Sequence, residues 1–188
     1  MNTRQLSKDS QIFITKLPEE IVEELDKWIV YSKKIKDHKL SYLKRRKPHD
    51  TCNSYQYNIP KKFIEDGFFL SYLLRHCADT FGGVHNDYYI PEENGHFHGY
   101  DIWINFSYKD DYNGPHYHSG TLSGIIYYKN NNLNPTVFPD HNIVYAGNEK
   151  TMIIFPSSTI HLVDKLETDN ERITIAFNIV KKWPLPDI

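Results

Sequence analysis

The chain has 188 residues, 39% hydrophobic and 24% charged, enough apolar material for one domain with a core of its own. Its formal net charge of −2 and pI near 6.5 leave no basic footprint for long nucleic acid or for an anionic membrane surface. Its two cysteines, Cys52 and Cys77, are too few for a disulfide framework, so a reducing cytoplasm is the expected compartment.

The opening stretch MNTRQLSKDSQIF holds no apolar run of signal-peptide length, and no segment approaches the length of a membrane span. Residues 15–36, TKLPEEIVEELDKWIVYSKKIK, read as the first helix. Thr15 is placed to cap it, Pro18 suits its first turn, and Glu19, Glu20, Glu23 and Glu24 complement the positive end of its dipole. Ile21, Leu25, Trp28 and Ile29 recur at helical spacing and face the core. The basic run KLSYLKRRK (39–47) reads as a solvated face, and residues 38–58 read as loop or weak structure. After Pro60, KKFIEDGFFLSYLLRHCADTFGG (61–83) reads as a second helix that stops at Gly82-Gly83.

From residue 84 the texture changes. DIWINFSY (101–108) alternates, with Ile102, Ile104 and Phe106 on one side. TLSGIIYY (121–128), HNIVYAG (141–147), TMIIFP (151–156), IHLVD (160–164) and RITIAFNIV (172–180) follow, separated by turn-forming clusters. Asn130–Asn132 read as a hairpin tip. Helices followed by six or more short strands predict an α+β, mainly β chain built on an antiparallel sandwich or barrel. One domain over residues 1–188 is expected, with a helical part over about 1–83 and a β core over about 84–182.

The chemistry concentrates in PHYHSG (115–120). On an extended backbone, residues two apart point the same way, so His116 and His118 converge. Neutral imidazole is a good donor to iron, zinc, nickel or copper, but a pair needs a third ligand. His161, which follows the apolar strand TMIIF, supplies a candidate about 45 residues later. One hairpin further on, Arg172 opens an otherwise apolar strand with Thr174 on the same face. An arginine there is costly to bury without an anion, and its fork together with a hydroxyl suits a carboxylate.

In NGPHYHSGTLSGIIYY, FPSSTIHLV and ERITIAFN the sequence resembles the iron(II)- and 2-oxoglutarate-dependent dioxygenases, and among them the small oxygenases of marine bacteria and their phages. The likeness covers roughly residues 98–180. It implies a double-stranded β-helix, a jelly-roll or cupin-like barrel flanked by helices. It also implies iron ligation by His116 and His161, and an Arg172–Thr174 site for the far carboxylate of 2-oxoglutarate. A facial metal triad leaves positions for a chelating keto acid and for dioxygen. The implied activity is hydroxylation of a C–H bond in a peptide side chain or small metabolite, with 2-oxoglutarate decarboxylated to succinate.

One position departs from the pattern. The family has a carboxylate two residues after its first histidine, and His118 stands there. Three arrangements are open: His118 completes a three-histidine site, a carboxylate such as Asp110 or Asp111 does so, or His118 points away and the site is weak. Asn105 and Tyr127 either bond the co-substrate's carboxylates or belong to the sheet's ordinary packing, while Trp103 and Tyr117 either floor a substrate cleft or fill core. His96 and His98, in GHFHG, lack a following strand of the right kind and read as surface or cleft-edge residues. His38, His49, His76, His85 and His141 have no partner at diagnostic spacing.

Two other readings compete. HYH and GNEKTMIIFPSSTIH also resemble the cupin motifs, which implies a three-histidine metalloenzyme that does not use 2-oxoglutarate. That reading lacks the glutamate expected after HxH and leaves Arg172 unexplained. A non-catalytic jelly-roll binding protein makes the histidines incidental. Expected partners are a small-molecule or peptide substrate, with no nucleic acid and no membrane. A homodimer through edge strands or helices is compatible with the plan.

Overall fold

In the computed structural model, residues 3–7, 10–37, 54–92, 99–130 and 134–182 are described. The N-terminal part runs β1 (Arg4–Gln5), β2 (Phe13–Lys16), α1 (Glu19–Asp37), β3 (Tyr55–Pro60), α2 (Lys61–Glu65), α3 (Phe69–Phe81) and β4 (Tyr88–Tyr89). The rest is strand: β5 (Gly99–Ser107), β6 (Asn113–His116), β7 (Leu122–Lys129), β8 (Thr136–Phe138), β9 (Ile143–Tyr145), β10 (Thr151–Pro156), β11 (His161–Val163) and β12 (Arg172–Lys181). Two antiparallel sheets result. The major one has the order β1-β2-β10-β7-β12-β5-β3, with β4 paired to β12, and the minor one the order β6-β11-β8-β9. From β5 to β12 the chain crosses repeatedly between the sheets, with β5, β7, β10 and β12 in one and β6, β8, β9 and β11 in the other. That connectivity is the expected double-stranded β-helix.

Strand alternation gives the major sheet two different faces. Ile102, Ile104 and Phe106 of β5 point to the helices, as do Ile173, Ile175 and Phe177 of β12. There they bury Trp28, Ile21 and Leu25 of α1 and Phe69 and Leu73 of α3. The opposite face turns inward, where Ile125, Tyr127, Ile153 and Phe155 meet Phe138 and Tyr145 of the minor sheet. The inner face of β5 and β12 is instead polar, and it lines a cavity.

Three expectations need correction. The start of the first predicted helix is strand β2, which pairs with β10, so Thr15 lies within a strand and does not cap. The helix begins after Pro18, whose carbonyl accepts from the amides of Ile21 and Val22. Of the stretch expected to be loop, Tyr55–Pro60 pairs with β5 as an outer strand, while residues 38–53, including the basic run and Cys52, lie outside the described residues. The helix expected over 61–83 is broken in two, and the cause lies in α1. The Glu24 carboxylate crosses to accept from the amides of Phe68 (2.7 Å) and Phe69 (3.0 Å), capping α3 from outside. Gly67 makes room for it, since a Cβ there would stand 1.9 Å from Glu24 Oε1.

Burial pushes the Glu24 carboxyl above its ordinary range, although both amide bonds oppose this. A neutral acceptor therefore serves the cap nearly as well. Glu24→Ala is expected to lower the unfolding free energy by about 1–2 kcal/mol in urea titrations, and Glu24→Gln by less than about 0.5 kcal/mol. Among the described residues, no helix is long and apolar enough to cross a membrane.

Candidate metal centre

Strands β6 and β11 are neighbours in the minor sheet, and their register sets His116 directly opposite His161. The two rings lie 4.2 Å apart between centroids. His118 follows the end of β6, where its backbone amide donates to the Ser157 carbonyl at 2.9 Å. Its ring reaches to 5.0 Å from His116 and 5.3 Å from His161. One nitrogen from each of the three residues falls in a group spanning no more than 4.8 Å, the spacing of a metal site.

The ring tautomers are prepared for ligation. His116 Nδ1 donates to the Gly114 carbonyl at 2.7 Å, and His161 Nδ1 to the Thr159 carbonyl at 3.1 Å. Each bond fixes the proton on Nδ1 and leaves Nε2 as the donor to a metal. Asn113 Nδ2 approaches His116 Nε2 at 3.5 Å, the outer limit of hydrogen bonding. Burial among the aromatic rings, with His116 close by, pushes His161 down to about 3, and burial lowers His116 as well. Both imidazoles are thus neutral at physiological pH, the form that ligates.

The carboxylates near this turn are engaged elsewhere. Asp110 pairs with Lys165 at 2.9 Å, and Asp111 Oδ2 accepts from the Tyr108 amide at 2.9 Å. Among the described residues, the grouping contains histidines only.

The other end of the cavity is cationic. Arg172 is 5% exposed, and its Nε donates to Asn130 Oδ1 at 2.8 Å. Among the described residues, no carboxylate lies within ion-pair reach of it. A buried guanidinium without a counter-charge is costly unless an anion completes it. Thr174, on the same face, pairs in register with Asn105, whose Nδ2 donates to the Thr174 hydroxyl at 3.3 Å. Asn105 Oδ1 is buried with no partner. With the amide turned over, Oδ1 accepts from Thr174 and the NH2 group points into the cavity. Either way, one polar atom of Asn105 is without a hydrogen-bond partner among the described residues.

Arg172, Thr174, Asn105 and the three histidines line one cavity of about 470 Å³, a size that suits a small co-substrate together with part of a second ligand. Tyr127 is placed differently. It is fully buried, its hydroxyl donates to Thr136 Oγ1 at 2.6 Å, and its ring centroid lies 5.8 Å from the Arg172 guanidinium carbon. It supports the arginine rather than lining the cavity. His96 and His98 lie outside the described residues.

Sequence reasoning missed Asn130. The residue read as a hairpin tip is fully buried, and its Nδ2 donates to the carbonyls of Ala146 (2.7 Å) and Gly147 (3.0 Å) while Oδ1 holds Arg172. No local pattern marks it, because its partners are distant in sequence. Gly147 closes this frame at φ +73°, and a Cβ there would stand 2.4 Å from the Tyr127 ring and 2.8 Å from Asn130 Nδ2. Gly147→Ala is expected to cost about 2–4 kcal/mol of stability, from backbone strain plus overpacking. It should also weaken anion binding at Arg172, both read on the same variant by denaturation and by calorimetry.

No family model matches the chain, and no curated protein matches it in sequence. Solved structures match it over nearly its whole length. The viral collagen prolyl hydroxylase of Paramecium Bursaria Chlorella virus-1, solved in complex with 2OG, is similar at a TM-score of 0.61 and 13% identity, covering 93% of this chain and 98% of that one. A Pseudomonas putida prolyl-4-hydroxylase is similar at 0.62 and 8%, covering 93% and 95%. This is the fold of the 2OG-Fe(II) oxygenases. An oxidoreductase of the 2OG-Fe(II) oxygenase family from Burkholderia pseudomallei shares it at 0.56 and 17%, covering 89% and 84%.

Proposed function

We propose that this protein is an Fe(II)- and 2-oxoglutarate-dependent dioxygenase that hydroxylates a C–H bond in a peptide side chain or small metabolite. The observation that carries the reading is Arg172, buried and, among the described residues, without a carboxylate partner, in the same cavity as three convergent histidines. A cupin-like enzyme that does not use 2-oxoglutarate leaves that cation unexplained.

His116, His118 and His161 would hold the iron, the first and third through Nε2. Bound iron(II) supplies the oxidation, in which one oxygen atom of dioxygen converts C–H to C–OH and the other enters succinate as 2-oxoglutarate loses carbon dioxide. The protein's own part is positional. Arg172, Thr174 and Asn105 take the far carboxylate and fix one pose of the co-substrate. Three neutral ligands leave the full charge of the metal to be balanced by that dianion. Phe138 and Phe155, packed on His161, keep water from the inner side of the site. The prolyl hydroxylases among the fold neighbours favour a peptide side chain as substrate. Cysteine usage favours the cytoplasm, and the shared cavity between the sheets favours a single domain.

The test is aerobic incubation with Fe(II) and 2-oxoglutarate, following succinate, with His161→Ala as control. Slow succinate formation without added substrate is expected, at least tenfold lower in the variant. Equal background in parent and variant would overturn the proposal.

A further inference from the structure

Two turns that touch each other hold two of the three histidines. Residues 117–121 link β6 to β7 and contain His118, and residues 157–160 link β10 to β11 and lead into His161. The second turn is sheltered, with Ser157 and Thr159 both buried. It closes where the Thr159 amide donates to the Pro156 carbonyl at 2.9 Å. Its own carbonyls then reach both histidines. Thr159 accepts from His161 Nδ1 at 3.1 Å, and Ser157 accepts from the His118 amide at 2.9 Å. One turn therefore sets the spacing of two candidate ligands.

The turn that carries His118 is pinned through its last residues. The Thr121 amide donates to the Ile179 carbonyl at 2.8 Å, its carbonyl accepts from the Ser157 amide at 3.1 Å, and its hydroxyl accepts from the Lys181 amide at 2.9 Å. Ser157 thus grips the turn twice, residue 118 through its carbonyl and residue 121 through its amide. Between the two grips Gly120 runs at φ +113°, a conformation that side chains disfavour. A Cβ there would stand 3.1 Å from the Ile179 carbonyl oxygen and 3.4 Å from Ser157 Oγ. Ser157 Oγ is itself bonded to Ser123 Oγ at 2.9 Å. A side chain at 120 therefore displaces the turn from β12 and from Ser157, and His118, two residues earlier, moves with it.

His116 is placed by other means. It belongs to β6, opposite His161, and its Nδ1 donates to the carbonyl of Gly114 in the same strand. We infer that Gly120 and Thr121 are positioning residues for the third metal ligand: clamped on Ser157 and β12, they set where His118 stands relative to His161. This rests on the three-histidine metal site and goes beyond it, since it assigns a role to residues that do not belong to the grouping of possible ligands.

The test uses zinc(II), which has no redox chemistry and accepts imidazole ligands, on protein with isotope-labelled histidine ring nitrogens. A zinc-bound ring nitrogen resonates apart from a free one, so magnetic resonance counts the ligands, with His116→Ala, His118→Ala and His161→Ala to assign them. The parent should show all three. Outer partners of metal ligands typically carry about 10- to 100-fold of metal affinity. Gly120→Ala should bind zinc about 100-fold more weakly, keeping His116 and His161 as ligands and losing His118. Thr121→Val, which removes the acceptor for the Lys181 amide, should weaken zinc about tenfold, and Thr121→Ser should restore it. That pair decides the matter should Gly120→Ala not fold. Three zinc-bound histidines at parental affinity in either folded variant, or loss of all three together, would overturn the inference and leave the metal site standing. A parent in which zinc does not engage all three histidines would overturn both.

Discussion

Arg172→Leu is expected to remove 2-oxoglutarate binding while leaving metal binding unchanged. The guanidinium is the one full positive charge at its end of the cavity among the described residues, and its Nε donates a hydrogen bond to Asn130 Oδ1. Truncating one partner of a buried charge pair costs roughly 2–5 kcal/mol of binding. That corresponds to a loss of roughly 30- to 5,000-fold in affinity. The fold should survive, because leucine replaces a buried cation that has no carboxylate partner among the described residues with an apolar group and leaves Asn130 Oδ1 unsatisfied, at about 1–3 kcal/mol. Calorimetry with metal-loaded protein reads the co-substrate, and metal content read alongside shows whether the histidines are intact. Loss of both together would mean that the arginine is structural.

Asn130→Asp should produce opposite effects on stability and binding. A carboxylate oxygen in place of Oδ1, 2.8 Å from Arg172 Nε, gives the buried guanidinium a counter-charge that no described residue supplies. Stability should rise by about 1–3 kcal/mol near neutral pH, because a buried charge with no counter-charge among the described residues becomes a hydrogen-bonded ion pair. Losing the Nδ2 bonds to Ala146 and Gly147 offsets part of this gain. Affinity for 2-oxoglutarate should fall by about 2–4 kcal/mol, since the arginine is already neutralised and the new carboxylate repels the incoming one. A variant that is harder to unfold and yet fails to bind separates a ligand-binding arginine from a purely structural one. If Arg172 served only the fold, Asn130→Asp would raise stability without changing binding.

The barrel and the gathering of three histidines were legible in the sequence, but the contacts around them were not. His116 and His118 share a face because of the two-residue period of an extended chain, and Arg172 and Thr174 share one for the same reason. What brings these pairs together is strand register, which sequence spacing does not reveal. His161 opposes His116 only because β11 inserts between β6 and β8. Asn130 was invisible for that reason, as it bonds a residue more than 40 positions away in sequence. Short strands escaped as well. Thr136–Phe138 and Asn113–His116 carry too few residues to show alternation, and proline and glycine in NGPH read as a turn. The break between α2 and α3 depends on Glu24, donated by another helix, so the continuous apolar pattern of 61–83 gave no sign of it. Local periodicity set the faces correctly, as for Ile102, Ile104 and Phe106, but not which elements those faces meet.

The most direct test of the central claim is an anaerobic titration of the apo-protein, first with Fe(II) and then with 2-oxoglutarate, followed by visible absorption. A 2-keto acid bound to iron(II) gives a weak charge-transfer band, so the account predicts that one appears only when both are present and saturates at one equivalent of each. Iron uptake with no band on adding 2-oxoglutarate, or no iron uptake at all, would contradict it.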